Sequence, residues 1–270
     1  MRRIPRGFTL VEIAIAIFII TILLGSILVP LTTQVENRNY DNTQRMLDQA
    51  REALLGYAAA YGYFPCPASA SSNGAQATGA GYPGSGTCHA LVTFANAYIG
   101  FLPAATLGFT PVDSNGYAVD AWGLTQNRIR YAVSSTTVNA ITNPFTKTNG
   151  IKNAGMANIT NTALLYVCSS GNGVVAGTNC GAQPPAGANA VLLTSNAIAV
   201  IWSVGPNAAT GGSSVHEAQN PNPNGGSADR IFVSRTRATA GAAGGEFDDI
   251  VTWLGPATIF NRLIAAGQLP

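Results

Sequence analysis

Charge is what this sequence has least of. Only 10% of its 270 residues are Asp, Glu, Lys or Arg, against roughly a quarter in ordinary soluble domains, and the formal net charge is +2. No strong field of one sign can form on that supply, which argues against a basic nucleic-acid surface. Histidine is scarcer still: His89 and His216 are the two in the chain. The four cysteines are spaced far from C-x-x-C, so a zinc site is set aside although His89 adjoins Cys88. P-loop, G-x-G-x-x-G and Ser/His/Asp patterns are lacking too, and no acid, base and nucleophile assemble into a catalytic set. Apolar and small residues fill the space instead, with 47% hydrophobic and 30 glycines. Disorder driven by self-repulsion is excluded, and the length allows one large or two small globular units.

The apolar residues are not spread evenly. From Phe8 through Leu31 the chain reads Ile, Leu, Val, Phe and Ala with a single charge, Glu12. As a helix this run is about 36 Å long, enough to cross a hydrocarbon core of about 30 Å with some tilt. Arg2, Arg3 and Arg6 precede it with no acid among them, so the positive-inside rule places the N-terminus in the cytoplasm and the rest outside. A cleavable secretory signal would have a shorter apolar core and a small-x-small site after it. Neither is present.

Thr32 to Tyr63 reads as a second helical stretch, with Leu47, Ala50, Leu54, Tyr57 and Tyr61 recurring at spacings of three and four as the buried face. Gly62 and Pro65 end it. Gly25 and Pro30 weaken the backbone ladder between the two stretches and predict a bend or a melted turn. Beyond Pro65 the composition turns to Gly, Ser, Thr, Asn and Ala with short β-like runs at 129–133, 163–168, 190–193, 197–204, 230–234 and 250–253. The connection 205–229 is the longest and reads as mobile. Pro256 to Ala266, with Gly267 after it, predicts a closing helix that buries Ile259, Phe260, Leu263 and Ile264. Trp122, Trp202 and Trp253 read as core anchors. The fold class is therefore α+β: a long N-terminal helix, transmembrane then amphipathic, followed by a mainly antiparallel sheet domain with long loops and a short C-terminal helix. Four cysteines permit three connectivities. Cys66–Cys88 and Cys168–Cys180 close the two short loops and are the expected pairs.

Arg6-Gly7-Phe8-Thr9-Leu10-Val11-Glu12, after a short basic leader and opening the apolar helix, resembles the class III leader of type IV pilins and of the pseudopilins of type II secretion. Segments 53–58, 64–67, 120–123, 130–131 and 248–253 are similar to pseudopilin-like proteins as well. The resemblance implies cleavage after Gly7 by a prepilin peptidase, N-methylation of Phe8, and a role for Glu12 in assembly with other subunits and an inner-membrane platform. A carboxylate in a membrane costs about 2.5–3.5 kcal/mol on insertion scales and so calls for a partner. The amine of Phe8, its own or a neighbour's, is the available cation. The domain organisation that follows is a leader at 1–7, a transmembrane helix at 8–31, an amphipathic continuation at 32–64 and an exported globular domain at 65–270.

The same resemblance raises calcium, because Ser203 to Asn207 looks like the start of a cation loop that leads into Asp248 and Asp249. Asn207 stands where the family carries Asp, which removes a charged oxygen from a site for a hard cation. No cofactor is assigned on this reading, and calcium at Asn207, Asp248 and Asp249 is kept as an option. The expected protein is a non-enzymatic filament subunit. A tethered periplasmic binding protein and a pilus-tip adhesin are the alternatives.

Overall fold

The computed structural model describes residues 7–89, 92–94, 96–175, 179–180, 192–210, 212, 214–220, 229–242 and 244–270, with the side chains of 24–32 and 92–94 outside the description. It divides into two compact units, residues 1–41 and 42–270. Helix α1 (Leu10–Tyr61) contributes to both and is unbroken through Gly25 and Pro30, where a bend or melted turn is expected. Pro30 removes one backbone N–H from the ladder without ending the helix.

In the first unit the described apolar side chains of α1 have no cover. Those from Phe8 to Leu23 that carry large hydrophobic groups are 50% to 85% exposed. Among the described residues no helix is long and apolar enough to cross a membrane. The expected span 8–31 lies partly outside the described side chains, which stop at Leu23.

In the second unit the remainder of α1 is a core element. Thr43, Leu47, Ala50, Leu54, Leu55 and Ala58 are buried at the three- and four-residue spacing of a helix stripe. The stripe ends at Ala58 and not at Tyr61, which is 56% exposed; Tyr61 stacks on half-buried Tyr57 at 4.4 Å between ring centres. Gly62 stops the helix in the left-handed conformation at φ 78°, its N–H donating to the Ala58 carbonyl at 2.7 Å.

Eight strands follow: β1 (Val92–Phe94), β2 (Ala97–Phe101), β3 (Arg130–Ser134), β4 (Leu165–Cys168), β5 (Leu192–Ala197), β6 (Ala199–Ser203), β7 (Ile231–Val233) and β8 (Ile250–Leu254). Five form an antiparallel sheet in the order β1-β2-β3-β6-β8, and three form a second sheet in the order β5-β4-β7. The pairing is mainly antiparallel, as expected, except that β4 and β7 run parallel. Short helices α2 (Ala104–Leu107), α3 (Gly150–Ala154) and α4 (Met156–Thr160) sit in the connections, and α5 (Pro256–Ala265) closes the chain.

The apolar run 197–204 is split, since β5 ends at Ala197 and β6 begins at Ala199 in the other sheet. Positions 190–191 of the expected strand 190–193 fall outside the described residues. Strands β1 and β2 carry no signal that stands out, because Ala97 and Gly100 dilute β2. Gly100 is nonetheless required: a Cβ there would lie 2.5 Å from the Ala68 carbonyl oxygen, where residue 68 bridges to Phe101.

Trp202 on β6 is fully buried against Phe232, their ring centres 4.8 Å apart; Trp253 is half-buried and packs against the same cluster, and Trp122 is half-buried. Helix α5 starts with proline at its first turn and buries Ile259, Phe260 and Leu263. Ile264, expected on that face, is 46% exposed, being one residue off the stripe. Arg262 pairs with Glu52 of α1, and Gln268 Nε2 donates to the Ala59 and Ala60 carbonyls at 3.2 Å each. These contacts satisfy orphan carbonyls at the end of α1.

The disulfides are Cys66–Cys88 and Cys168–Cys180, separated by 22 and 12 residues in sequence. Closing a loop of the first size restricts the unfolded chain enough to contribute about 3 kcal/mol. Replacing Cys66 and Cys88 together by alanine is expected to lower unfolding stability by about that amount, read from denaturant melts of the full chain in detergent. Non-reducing peptide mapping of the unaltered protein should recover both linked pairs.

Candidate functional site

Residues 7–9 are exposed and non-helical, and α1 begins at Leu10. What fixes that start is a reciprocal cap. The Thr9 carbonyl accepts the first helical bond, from Ile13 N–H at 3.2 Å. Thr9 Oγ1 accepts from the Glu12 N–H at 3.3 Å, and the Glu12 carboxylate accepts from both the Thr9 N–H and the Thr9 hydroxyl at 2.9 Å through Oε2. This is the Thr-x-x-Glu capping box, in which two otherwise unpaired N–H groups are satisfied. The pattern stands in the sequence, but the carboxylate there reads as a charge in an apolar run and the cap goes unseen. Both hydrogen bonds that the Glu12 carboxylate accepts from Thr9 use Oε2.

Gly7 gives a different signal. A Cβ built on it meets nothing within 4 Å, and its φ lies outside the left-handed region. Nothing among the described residues demands glycine at this position. Phe8, beside it, is 82% exposed.

The residues considered for calcium are placed by a polar network. Asn207 Nδ2 donates to Glu217 Oε1 at 3.3 Å, and the same oxygen accepts the Asp248 N–H at 2.9 Å. Asp249 Oδ2 accepts from Asn220 Nδ2 at 2.8 Å. Burial pushes the Asp249 carboxyl well above the usual range; Asn220 opposes the shift, the charges of Asp248 and Glu217 add to it, and Arg130 opposes it. Burial also pulls the Arg130 guanidinium down to about 10 against the pull of Asp249. Among the described residues no group of three His, Cys, Asp or Glu side chains is arranged to hold a metal ion. Asn207 turns its amide nitrogen, a donor, toward Glu217. That atom is no ligand for a hard cation.

Asp120 is a second hub that the sequence leaves unassigned. Its Oδ2 accepts from Ser203 Oγ at 2.5 Å and Asn127 Nδ2 at 2.9 Å, and its Oδ1 accepts from the Trp122 N–H at 3.0 Å. Burial raises its carboxyl above the ordinary value while these donors pull the other way. Asn127 Nδ2 also donates to the Gly205 carbonyl at 2.6 Å. Gly205, at φ 64°, admits no side chain because a Cβ would lie 2.2 Å from Asp248 Oδ1. These groups bind loops to strand ends, and Asp120 also lines an open depression with Arg45, Gln49 and Val119. His89 is exposed.

With this geometry in place, comparison with known families is decisive for one segment. Residues 2–28 match the family model of the prokaryotic N-terminal methylation motif. The chain therefore carries the class III prepilin leader of type IV pilins and pseudopilins, and its N-terminus is that of a pilin- or pseudopilin-like protein. Comparison with curated proteins and with solved structures finds no match for the chain.

Proposed function

We propose that the chain is a minor pilin or pseudopilin: a structural subunit of a type IV pilus or a type II secretion pseudopilus, with no enzymatic role. The precursor crosses the inner membrane once through residues 8–31, with its leader 1–7 in the cytoplasm. Residues 32–64 continue the span as an amphipathic helix, and 65–270 form the periplasmic or extracellular surface. Prepilin peptidase cuts after Gly7 and methylates Phe8, and the mature subunit joins others through α1 on an inner-membrane assembly platform. The observation that carries this reading is the methylation motif at 2–28 set on a helix whose described apolar side chains from Phe8 to Leu23 lack any cover. A soluble monomer does not leave such a face open. A bilayer covers it before assembly and neighbouring helices cover it afterwards.

Intact-mass measurement tests the processing step. Protein from cells with active prepilin peptidase is expected to lack residues 1–7 and to carry one methyl group on Phe8. Protein that keeps Met1 under those conditions would remove the filament reading.

A further inference from the structure

Segment 214–220 lies across the ends of β4, β7 and β8 and is held by three side chains. Asn220 accepts from the Val233 N–H and donates to the Val233 carbonyl, each at 2.8 Å. Glu217 accepts from the Asp248 N–H. The third is His216, 3% exposed, whose Nδ1 accepts the Gly171 N–H at 2.9 Å and lies 3.3 Å from Ser170 Oγ. Contact there is close: a Cβ on Gly171 would be 2.2 Å from the Val215 carbonyl oxygen.

We propose that His216 is a pH-sensitive latch, which in its neutral form ties the 214–220 strap to the end of β4 and on protonation lets it go. The Gly171 N–H occupies Nδ1 as an acceptor, so the ring's single proton belongs on Nε2. The ring also makes a hydrogen bond with the Gly244 backbone. A second proton has no place to go except Nδ1, where it meets the Gly171 N–H head-on. The latch then faces a donor with a donor and opens.

The charged groups around the ring act on the same step. Arg235 reaches the Gly244 carbonyl with Nη1 at 3.5 Å and repels a second cation, whereas Glu217 on the strap attracts one. Beyond Glu217 lie Asp248 and Asp249, with Arg130 facing Asp249. Burial is the largest influence, Arg235 adds to it, and together they hold the His216 imidazole below its ordinary value. A lowered value means that the native state binds the proton less readily than the unfolded one. The stabilisation is therefore complete above the ordinary imidazole range and is lost as pH falls through the lowered value.

The test is hydrogen exchange of the 214–220 segment in the full chain in detergent, from about pH 7.5 to about pH 4.5, corrected for intrinsic exchange and referred to β6. As pH falls from the ordinary imidazole range toward the lowered His216 midpoint, opening of the strap should rise about tenfold per pH unit, as one proton requires, and it should level off below that midpoint. In His216→Asn, whose Oδ1 replaces Nδ1 as the acceptor without titrating, the rise should vanish. Should that variant fail to fold, imidazole NMR of His89→Gln protein gives the His216 midpoint directly, because one histidine then remains, and strap opening must follow it. A strap that stays closed through that midpoint, or an equal pH response in His216→Asn, overturns the latch. Either outcome leaves the filament reading untouched.

Discussion

Glu12→Gln protein is expected to enter the membrane and to lose its leader as the wild type does, yet to fall out of filaments by two orders of magnitude or more. The capping box accepts glutamine as well as glutamate at its third position, so the Thr9 contacts at 2.9 Å have a replacement acceptor and the start of α1 stays at Leu10. Gly7 and Phe8 are unchanged, and removing a charge eases insertion. If the filament reading holds, what is lost is the negative charge that would neutralise the Phe8 ammonium of a neighbouring subunit. Removing one partner of a buried pair costs about 3–5 kcal/mol, and each 1.4 kcal/mol is a factor of ten.

The cap decides which substitution to use. Glu12→Ala would remove the cap and the charge together, and an assembly defect could not be assigned to either. Thr9→Val completes the set by keeping the charge while removing the hydroxyl from the cap. Co-purification with sheared filaments or cross-linked oligomers, compared with each variant's own membrane pool, reads the result. If Glu12→Gln assembles fully while Glu12→Ala and Thr9→Val do not, the helix cap and not the ion pair is what assembly needs.

Local signals in the sequence account for most of the elements. The strands at β3, β4, β6, β7 and β8 are runs of β-branched and aromatic residues between glycine- or proline-rich turns, and all five lie where the pattern puts them to within a residue or two. The end of α1 is read from Gly62 and Pro65 because the left-handed residue that stops a helix is almost always glycine. Strand β2 is missed because its glycine is dictated by Ala68, more than thirty residues away, and no local pattern announces such a contact.

The polar hubs are missed for the same reason. Asp120 meets Ser203, and Asn220 meets Val233 and Asp249; each reads as an ordinary loop residue until folding brings its partners in. The connection 205–229 illustrates the consequence. It reads as mobile from its composition, whereas His216, Glu217 and Asn220 within it are among the most buried polar side chains of the described protein.

That burial makes Asn220→Ala the most damaging single change expected in the globular unit. Asn220 is fully buried, and its side chain serves three groups: the N–H and the carbonyl of Val233, and Oδ2 of Asp249, all at 2.8 Å. Alanine abandons all three. A buried polar group left unpaired costs about 1–3 kcal/mol, and with some relief from water the loss should be about 4 kcal/mol, a large share of the 5–15 kcal/mol that holds a domain together. Trp202 reports it, because its indole N–H donates to the Asn220 carbonyl at 2.6 Å and loosening of the segment lets water reach the ring. A chemical melt followed by tryptophan fluorescence should therefore show both a lower midpoint and a red-shifted native spectrum. Asn220→Asp should do no better than alanine, although it preserves shape and can still accept the Val233 N–H. It cannot donate to the Val233 carbonyl, and it sets another carboxyl against Asp249, which is already crowded by Asp248 and Glu217. Asn115→Ala, at an exposed turn, should shift the midpoint by less than about 0.5 kcal/mol. If Asn220→Ala melts like Asn115→Ala, the hydrogen bonds at 2.8 Å are not what holds segment 214–220 to the sheet.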